Sequence, residues 1–155
     1  MTPAVLAARR AGITCQVLEY RHDPAAQSFG LEAAAALGVD SSKVFKTLVA
    51  SLATGDLAVA VIPVNTQLDL KALANATGTK KAVMADRQAA ERATGYVIGG
   101  ISPLGQRRRL TTVIDESALT HGEIYVSGGR RGLEIALDPR DLVNLTNATL
   151  SRISR

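Results

Sequence analysis

Few residues of this chain have types and spacings suited to chemistry, and Lys46 is the first of them. In VFKTLV (44–49) the side chains of a strand alternate, so Val44, Lys46 and Leu48 share one face while Phe45, Thr47 and Val49 share the other. Lys46 therefore has apolar neighbours on its own face. A lysine so placed either snorkels to water or guards an edge strand, or it is held there for a partner. In the second reading its ammonium binds a phosphate or carboxylate, or stabilises a developing oxyanion.

The second group is the segment YVIGGISPLG at 96–105, with Gly99, Gly100, Pro103 and Gly105 and no charge, between Arg92 and the run Arg107, Arg108 and Arg109. An exposed loop normally carries Asp, Asn, Lys or Glu, so an apolar, glycine-rich one implies close approach of its backbone to something. Gly99 and Gly100 have no Cβ, so their N–H groups can face a ligand, and Pro103 stiffens the exit. The competing reading is a tight bend in a buried sheet. Ser102 either donates from this loop or bonds its own backbone in a local turn.

Other candidates are weaker. Tyr20 lies at the end of an alternating run and either fills the core or lines a pocket. Glu134, in GLEIAL, points to an exposed face or pairs with Lys46 or a substrate amine. The Gly128–Arg131 turn offers two solvated arginines or, through its glycines, a phosphate contact. Cys15, the sole cysteine, reads as a buried inert thiol. His22 and His121 lie in different loops, and neither accompanies a G-x-S-x-G elbow. No C-x-x-C or H-x-x-x-H spacing suggests a metal, and GGISPLG is neither a Walker loop nor G-x-G-x-x-G.

These groups need a scaffold. A chain of 155 residues is most simply one domain, 1–155, able to bury roughly two-thirds of its unfolded surface. Aromatic residues are only 3%, so the core is expected to be Ala, Val, Leu and Ile. The net charge is +4, and Arg supplies thirteen of eighteen basic residues, a mild lean toward fork-like contacts with phosphate or carboxylate. No run reaches the roughly 18 apolar residues of a membrane span. MTPAVLAARRAG is too short and too charged for a secretory signal, and a lone cysteine excludes an internal disulfide, so a cytosolic address is expected.

Thr2-Pro3 reads as a cap and first helical turn ending at Gly12. A strand is expected over 13–20, a loop over 21–29 and an Ala-rich helix over 31–37. A hairpin joins 44–53 to 57–63 through Thr54-Gly55-Asp56. Asp69 and Asp86 start helices that stop at Gly78 and Gly95, with a short strand at 82–85 between them. Residues 110–115 read as a strand and 116–121 as a short turn or helix. A second hairpin, 123–127 with 132–137, follows, then a helix from Asp138-Pro139 and a last weak strand from Ala148 with a frayed basic end. The expected class is α/β (α+β), a single mixed sheet with helices packed on it.

Taken in order, MTPAV, Tyr20, His22-Asp23-Pro24, Val44-Phe45-Lys46-Thr47-Leu48, QLDLK (67–71), GYVIGGISPLGQ (95–106) and VSGGRRGLEI (126–135) resemble the YbaK/EbsC family. These are freestanding relatives of the editing domain inserted in bacterial prolyl-tRNA synthetases, and the resemblance spans essentially the whole chain. It implies that family's editing-domain fold, partly barrel-like, and deacylation of Cys-tRNA(Pro) without metal or cofactor. It also implies cysteine-charged tRNA(Pro) and prolyl-tRNA synthetase as partners. Carried over position by position, it implies catalytic roles for Lys46, Gly100 and Ile101. Substrate contacts are implied for Tyr20, Phe29, Thr47, Gly99, Ser102, Pro103 and Glu134, the last standing where some relatives have Asp. In such enzymes the cysteine thiol of the substrate attacks its own ester, so no protein nucleophile is required. The alternatives are a deacylase for another small mischarged amino acid such as Ala, and a non-catalytic module that binds the aminoacyl-tRNA end or the synthetase.

Overall fold

The computed structural model describes residues 1–155. Five helices form where cap residues and left-handed stops bracket them: α1 (Pro3–Ala11), α2 (Phe29–Leu37), α3 (Leu70–Thr77), α4 (Arg87–Thr94) and α5 (Pro139–Thr146). The side chains of Thr2, Ser28, Asp69, Asp86 and Asp138 each accept a backbone N–H of the first turn. α2 starts two residues earlier than the alanine run suggests, because Ser28 caps it.

The strands are β1 (Cys15–Glu19), β2 (Phe45–Leu52), β3 (Leu57–Pro63), β4 (Ala82–Met84), β5 (Thr111–Asp115), β6 (Ile124–Ser127), β7 (Leu133–Leu137) and β8 (Thr149–Ser151). Both expected hairpins form, β2 with β3 and β6 with β7, each antiparallel. The mixed α/β class is as expected, with one difference in the sheet. The strands divide into a five-stranded sheet, β4-β2-β3-β5-β8, and a three-stranded one, β1-β7-β6, and neither closes into a barrel. Parallel pairing of β3 with β5 and of β5 with β8 makes the larger sheet mixed. A single parallel bridge between Val44 and Tyr125 joins the two sheets. Immediately upstream of the bridge the chain forms a helical turn, Ser41–Lys43.

Two apolar clusters explain why β3 is apolar on both faces. The larger is shared by both sheets and holds Phe45, Val59, Val61, Ile114, Ile124, Ile135 and Leu137, with Ala4 and Ala8 of α1 and Leu142 of α5. The smaller covers the other face of the large sheet with Ala58, Ala60, Ile62, Leu73 and Ile153. A sheet covered on both faces needs near-continuous hydrophobic strands.

The chain end is pinned rather than frayed. Gln67 and Arg155 exchange backbone hydrogen bonds at 3.0 and 2.9 Å, and Ile153 is fully buried. The anchor is Asp115, buried at the end of β5, which accepts the N–H groups of Ile153 (2.9 Å) and Ser154 (3.0 Å) and the hydroxyl of Ser117 (2.5 Å). Burial alone would raise the pKa of Asp115, but the hydrogen bonds from Ser117, Ile153 and Ser154 outweigh it and hold the value low. The carboxylate therefore stabilises the fold fully above its unfolded pKa near 3.8, and this contribution is lost as pH falls through the folded value. Asp115→Ala should cost about 2–4 kcal/mol in urea denaturation at pH 7, because it leaves the buried N–H of Ile153 and the partly buried N–H of Ser154 without acceptors.

Candidate active site

β4 pairs with β2 only over Ala50–Leu52, and the bridge to Tyr125 holds only Val44. Between them residues 45–48 have a strand partner, β3, on one side only. A cavity of about 250 Å³ opens along this free edge. α2, the β6–β7 turn and the glycine-rich loop close it, and Lys46, Thr47, Phe29, Tyr20, Ile101 and Glu134 are in its wall.

Three polar groups in this wall are incompletely matched. Lys46 is half-buried, burial depresses its pKa, and no carboxylate pairs with it. The hydroxyl oxygen of Thr47 is buried and makes no hydrogen bond. Glu134 is only 6% exposed, and burial pushes its pKa up to about 8, so at neutral pH the carboxyl is mostly protonated. Sheet register fixes its direction: Glu134 lies opposite Leu18 of β1 and Ser127 of β6, on one face of the small sheet. It is thus neither on an exposed face nor paired with Lys46. Burial, and then the charge of Glu134, raise the pKa of the Tyr20 phenol nearby.

The glycine-rich loop approaches the protein itself. A Cβ on Gly100 would sit 2.9 Å from Cα of Arg130, so this glycine lets the loop lie on the β6–β7 turn. Gly99 has φ +92°, and a Cβ there would meet the Phe29 ring and Nε of Arg131, both at 2.7 Å. The Gly100 N–H donates to the Val97 carbonyl at 2.8 Å and is not free for a substrate oxyanion. The Ile101 N–H makes no hydrogen bond within the protein, and Ile101 lines the cavity. Ser102 is wholly buried, its oxygen accepting the Leu104 N–H at 3.2 Å, which is the local-turn alternative. Pro103 lines a different cleft. The cavity therefore collects Tyr20, Phe29, Lys46, Thr47, Gly99, Ile101 and Glu134, and not Gly100, Ser102 or Pro103.

Arg131 has a role that residue order did not disclose. Its guanidinium lies 3.9 Å from the centre of the Phe29 ring, and it donates to the Ile98 carbonyl at 3.1 Å. His22 meets the edge of the same ring and bonds Glu32 at 2.8 Å. One arginine thus ties α2, the hairpin turn and the glycine-rich loop together. The Gly-Gly-Arg-Arg turn was a visible signal, but its contact with Phe29 arises only on folding.

No nucleophile–base pair faces the cavity. The Ser28 and Ser127 hydroxyls accept backbone N–H groups, from Leu31 (3.4 Å) and Gly129 (3.1 Å). Neither histidine lines it, and half-buried Cys15 packs against the large cluster instead. The wall can bind a small polar group, orient it and polarise it, with the Lys46 ammonium, the neutral Glu134 carboxyl, the Thr47 hydroxyl and the Ile101 N–H among its polar groups.

Residues 23–145 match the model of the aminoacyl-tRNA editing domain, and the chain belongs to that family. It is 41% identical over 121 residues to a protein of Enterococcus faecalis named "Putative Cys-tRNA(Pro)/Cys-tRNA(Cys) deacylase EbsC", covering 78% of this chain and 74% of that one. The crystal structure of a hypothetical protein superposes with TM-score 0.89 at 27% identity, over 99% of this chain and all of the other. A "putative trans-editing enzyme for prolyl tRNA synthetase" superposes with TM-score 0.85 at 25% identity, over 100% and 99% of the two chains. The protein is accordingly an aminoacyl-tRNA editing enzyme, as the resemblance in its motifs implied.

Two outcomes follow from this geometry. The pKa of Glu134 is raised on folding, so the folded state holds a proton that the unfolded chain releases. Stability should then fall as pH rises from about 4.5 toward about 8, by at most about 1.4 kcal/mol per pH unit for this group. Glu134→Gln should remove that slope in urea midpoints measured from pH 5 to 8. Gly100→Ala should cost about 1–3 kcal/mol in the same assay, because its methyl group meets backbone rather than a movable side chain.

Proposed function

We propose that this protein deacylates Cys-tRNA(Pro) in trans, in the cytoplasm and alongside prolyl-tRNA synthetase, by letting the substrate cleave its own ester. The observation that carries this reading is a cavity with an unpaired Lys46 ammonium and an unpaired Thr47 hydroxyl but no nucleophile of its own. At about 250 Å³ it falls below the roughly 300–1,000 Å³ of drug-sized pockets, which suits a small aminoacyl group and the end of a ribose.

In this mechanism Lys46 holds the phosphate or ribose of the terminal adenosine, and the Ile101 N–H polarises the ester carbonyl. Thr47 offers its hydroxyl to the same group. The substrate sulfur attacks its own carbonyl carbon, a C–S bond forms and the bond to the ribose oxygen breaks. The thiol proton ends on that oxygen, releasing tRNA and a strained cyclic thioester that water opens to cysteine. The protein contributes orientation. A substrate ammonium beside Glu134 would lower the carboxyl pKa and release its proton to water, giving a charge pair where the free enzyme holds a neutral acid.

The test is release of cysteine and uncharged tRNA from purified Cys-tRNA(Pro). Lys46→Ala should reduce the rate by a factor of about 100 or more, with an unchanged circular dichroism spectrum. Unchanged turnover would remove Lys46 from the mechanism. Seryl and alanyl esters should be cleaved poorly, since neither side chain is a good nucleophile at neutral pH. Efficient cleavage of either would replace thiol attack with deacylation of another small residue. No release above the buffer rate would leave a module that only binds the aminoacyl end or the synthetase.

A further inference from the structure

A second cleft, of about 330 Å³, lies where the glycine-rich loop runs into Arg107, Arg108 and Arg109. α1 contributes Ala7 to it and α5 contributes Leu145 and Thr146. None of its lining residues is acidic, and none of the three arginines takes part in an ion pair, whereas Arg87, Arg130 and Arg140 each do. The neutral donors are occupied internally. The Thr112 and Thr146 hydroxyls donate to Leu110 (3.0 Å) and Leu142 (2.7 Å), and the Gln106 amide donates to Ser102 (3.0 Å). The guanidinium groups are thus the side-chain donors this cleft leaves free.

Their backbone is not loose. The Arg107 and Arg108 N–H groups donate to Thr94 (2.9 Å) and Ala93 (3.0 Å), fastening the arginine run to the end of α4. Exposed arginines are ordinarily solvated, but consecutive ones on a fixed backbone, lining a hollow without carboxylates, suit an anion with several oxygens.

We infer that the Arg107–Arg109 cleft binds the phosphodiester backbone of the RNA whose 3′ end enters the Lys46 cavity. The inference rests on the aminoacyl-tRNA reading for the identity of the RNA, and on the cleft itself for the anion chemistry. Ile101 of the cavity and Pro103 of the cleft are two residues apart on one loop, at most about 7 Å along the chain. An RNA strand reaching the first site is therefore brought close to the second. Phosphate contacts of this kind position a nucleic acid without reading its sequence.

The experiment titrates a labelled, uncharged RNA hairpin with a single-stranded 3′ end against the full chain, by fluorescence anisotropy, at several salt concentrations. Each lost phosphate contact removes about 0.7–0.9 from the slope of log Kd against log salt. Arg107→Gln/Arg108→Gln/Arg109→Gln should therefore lower the slope by about 2–3 and weaken binding at least about tenfold near 100 mM salt. Turnover of a small cysteinyl ester of adenosine should be unchanged, and Arg140→Gln should leave the slope as in the wild type. If the triple variant melts early, the three single variants, each lowering the slope by about 0.7–0.9, give the same reading. An unchanged slope in the arginine variants overturns the inference, as does an equal loss in Arg140→Gln, which would mean diffuse charge only. Saturable binding of pyrophosphate by a protein that does not bind the hairpin would also overturn it, in favour of a small-anion site. RNA binding as expected but no cysteine release would defeat the deacylase reading and leave the cleft standing.

Discussion

The constraint on which the site depends is that β2 has a strand on both sides over only part of its length. β4 reaches it at Ala50, β6 touches it only at Val44, and the residues between them have β3 alone. An unfilled edge is normally a hazard, because its backbone groups invite pairing with another chain. Here α2, the hairpin turn and the glycine-rich loop roof it over, so the gap becomes a hollow that is partly open to solvent. The division into two sheets is thus what makes room for a cavity. A continuous sheet through β2 and β6 would have filled the same space with ladder hydrogen bonds.

Within that hollow the protein tolerates unfavourable burial. A lysine without a counter-ion, a hydroxyl without a partner and a carboxyl that keeps its proton each oppose folding when considered alone. The two apolar clusters beneath supply the stability that permits this, since both faces of the large sheet are buried. The arrangement fits a site whose polar groups are satisfied only when substrate is present.

Local chemistry was legible in the sequence, and tertiary chemistry was not. Thr2, Asp69, Asp86 and Asp138 act as the caps their spacing implies, and both hairpins form in the expected places. Lys46 stood out because a strand neighbourhood can be read from alternation. The split of the strands into two sheets could not be read, since it turns on one bridge at Val44. Gly100 signalled close approach correctly, but only the fold identifies the approached group as Arg130 rather than a ligand. Ser102 makes the local turn that was one of its two readings, whereas the tail, expected to fray, is pinned because its partners Asp115 and Gln67 are chosen by packing. The charge state of Glu134 depends on burial from all sides, which GLEIAL does not record.

Thr2 illustrates how far the cavity's support extends. Besides capping α1, its hydroxyl donates to the Gly128 carbonyl, and its side chain packs where a Cβ on Gly129 would fall. Gly128 and Gly129 begin the turn that presents Arg131 to Phe29. The second residue of the chain therefore acts as a latch on the roof of a cavity it does not touch. Any tether or fusion that pulls on the start of α1 applies its force to that roof, so the orientation of such an attachment becomes a variable of the enzyme itself.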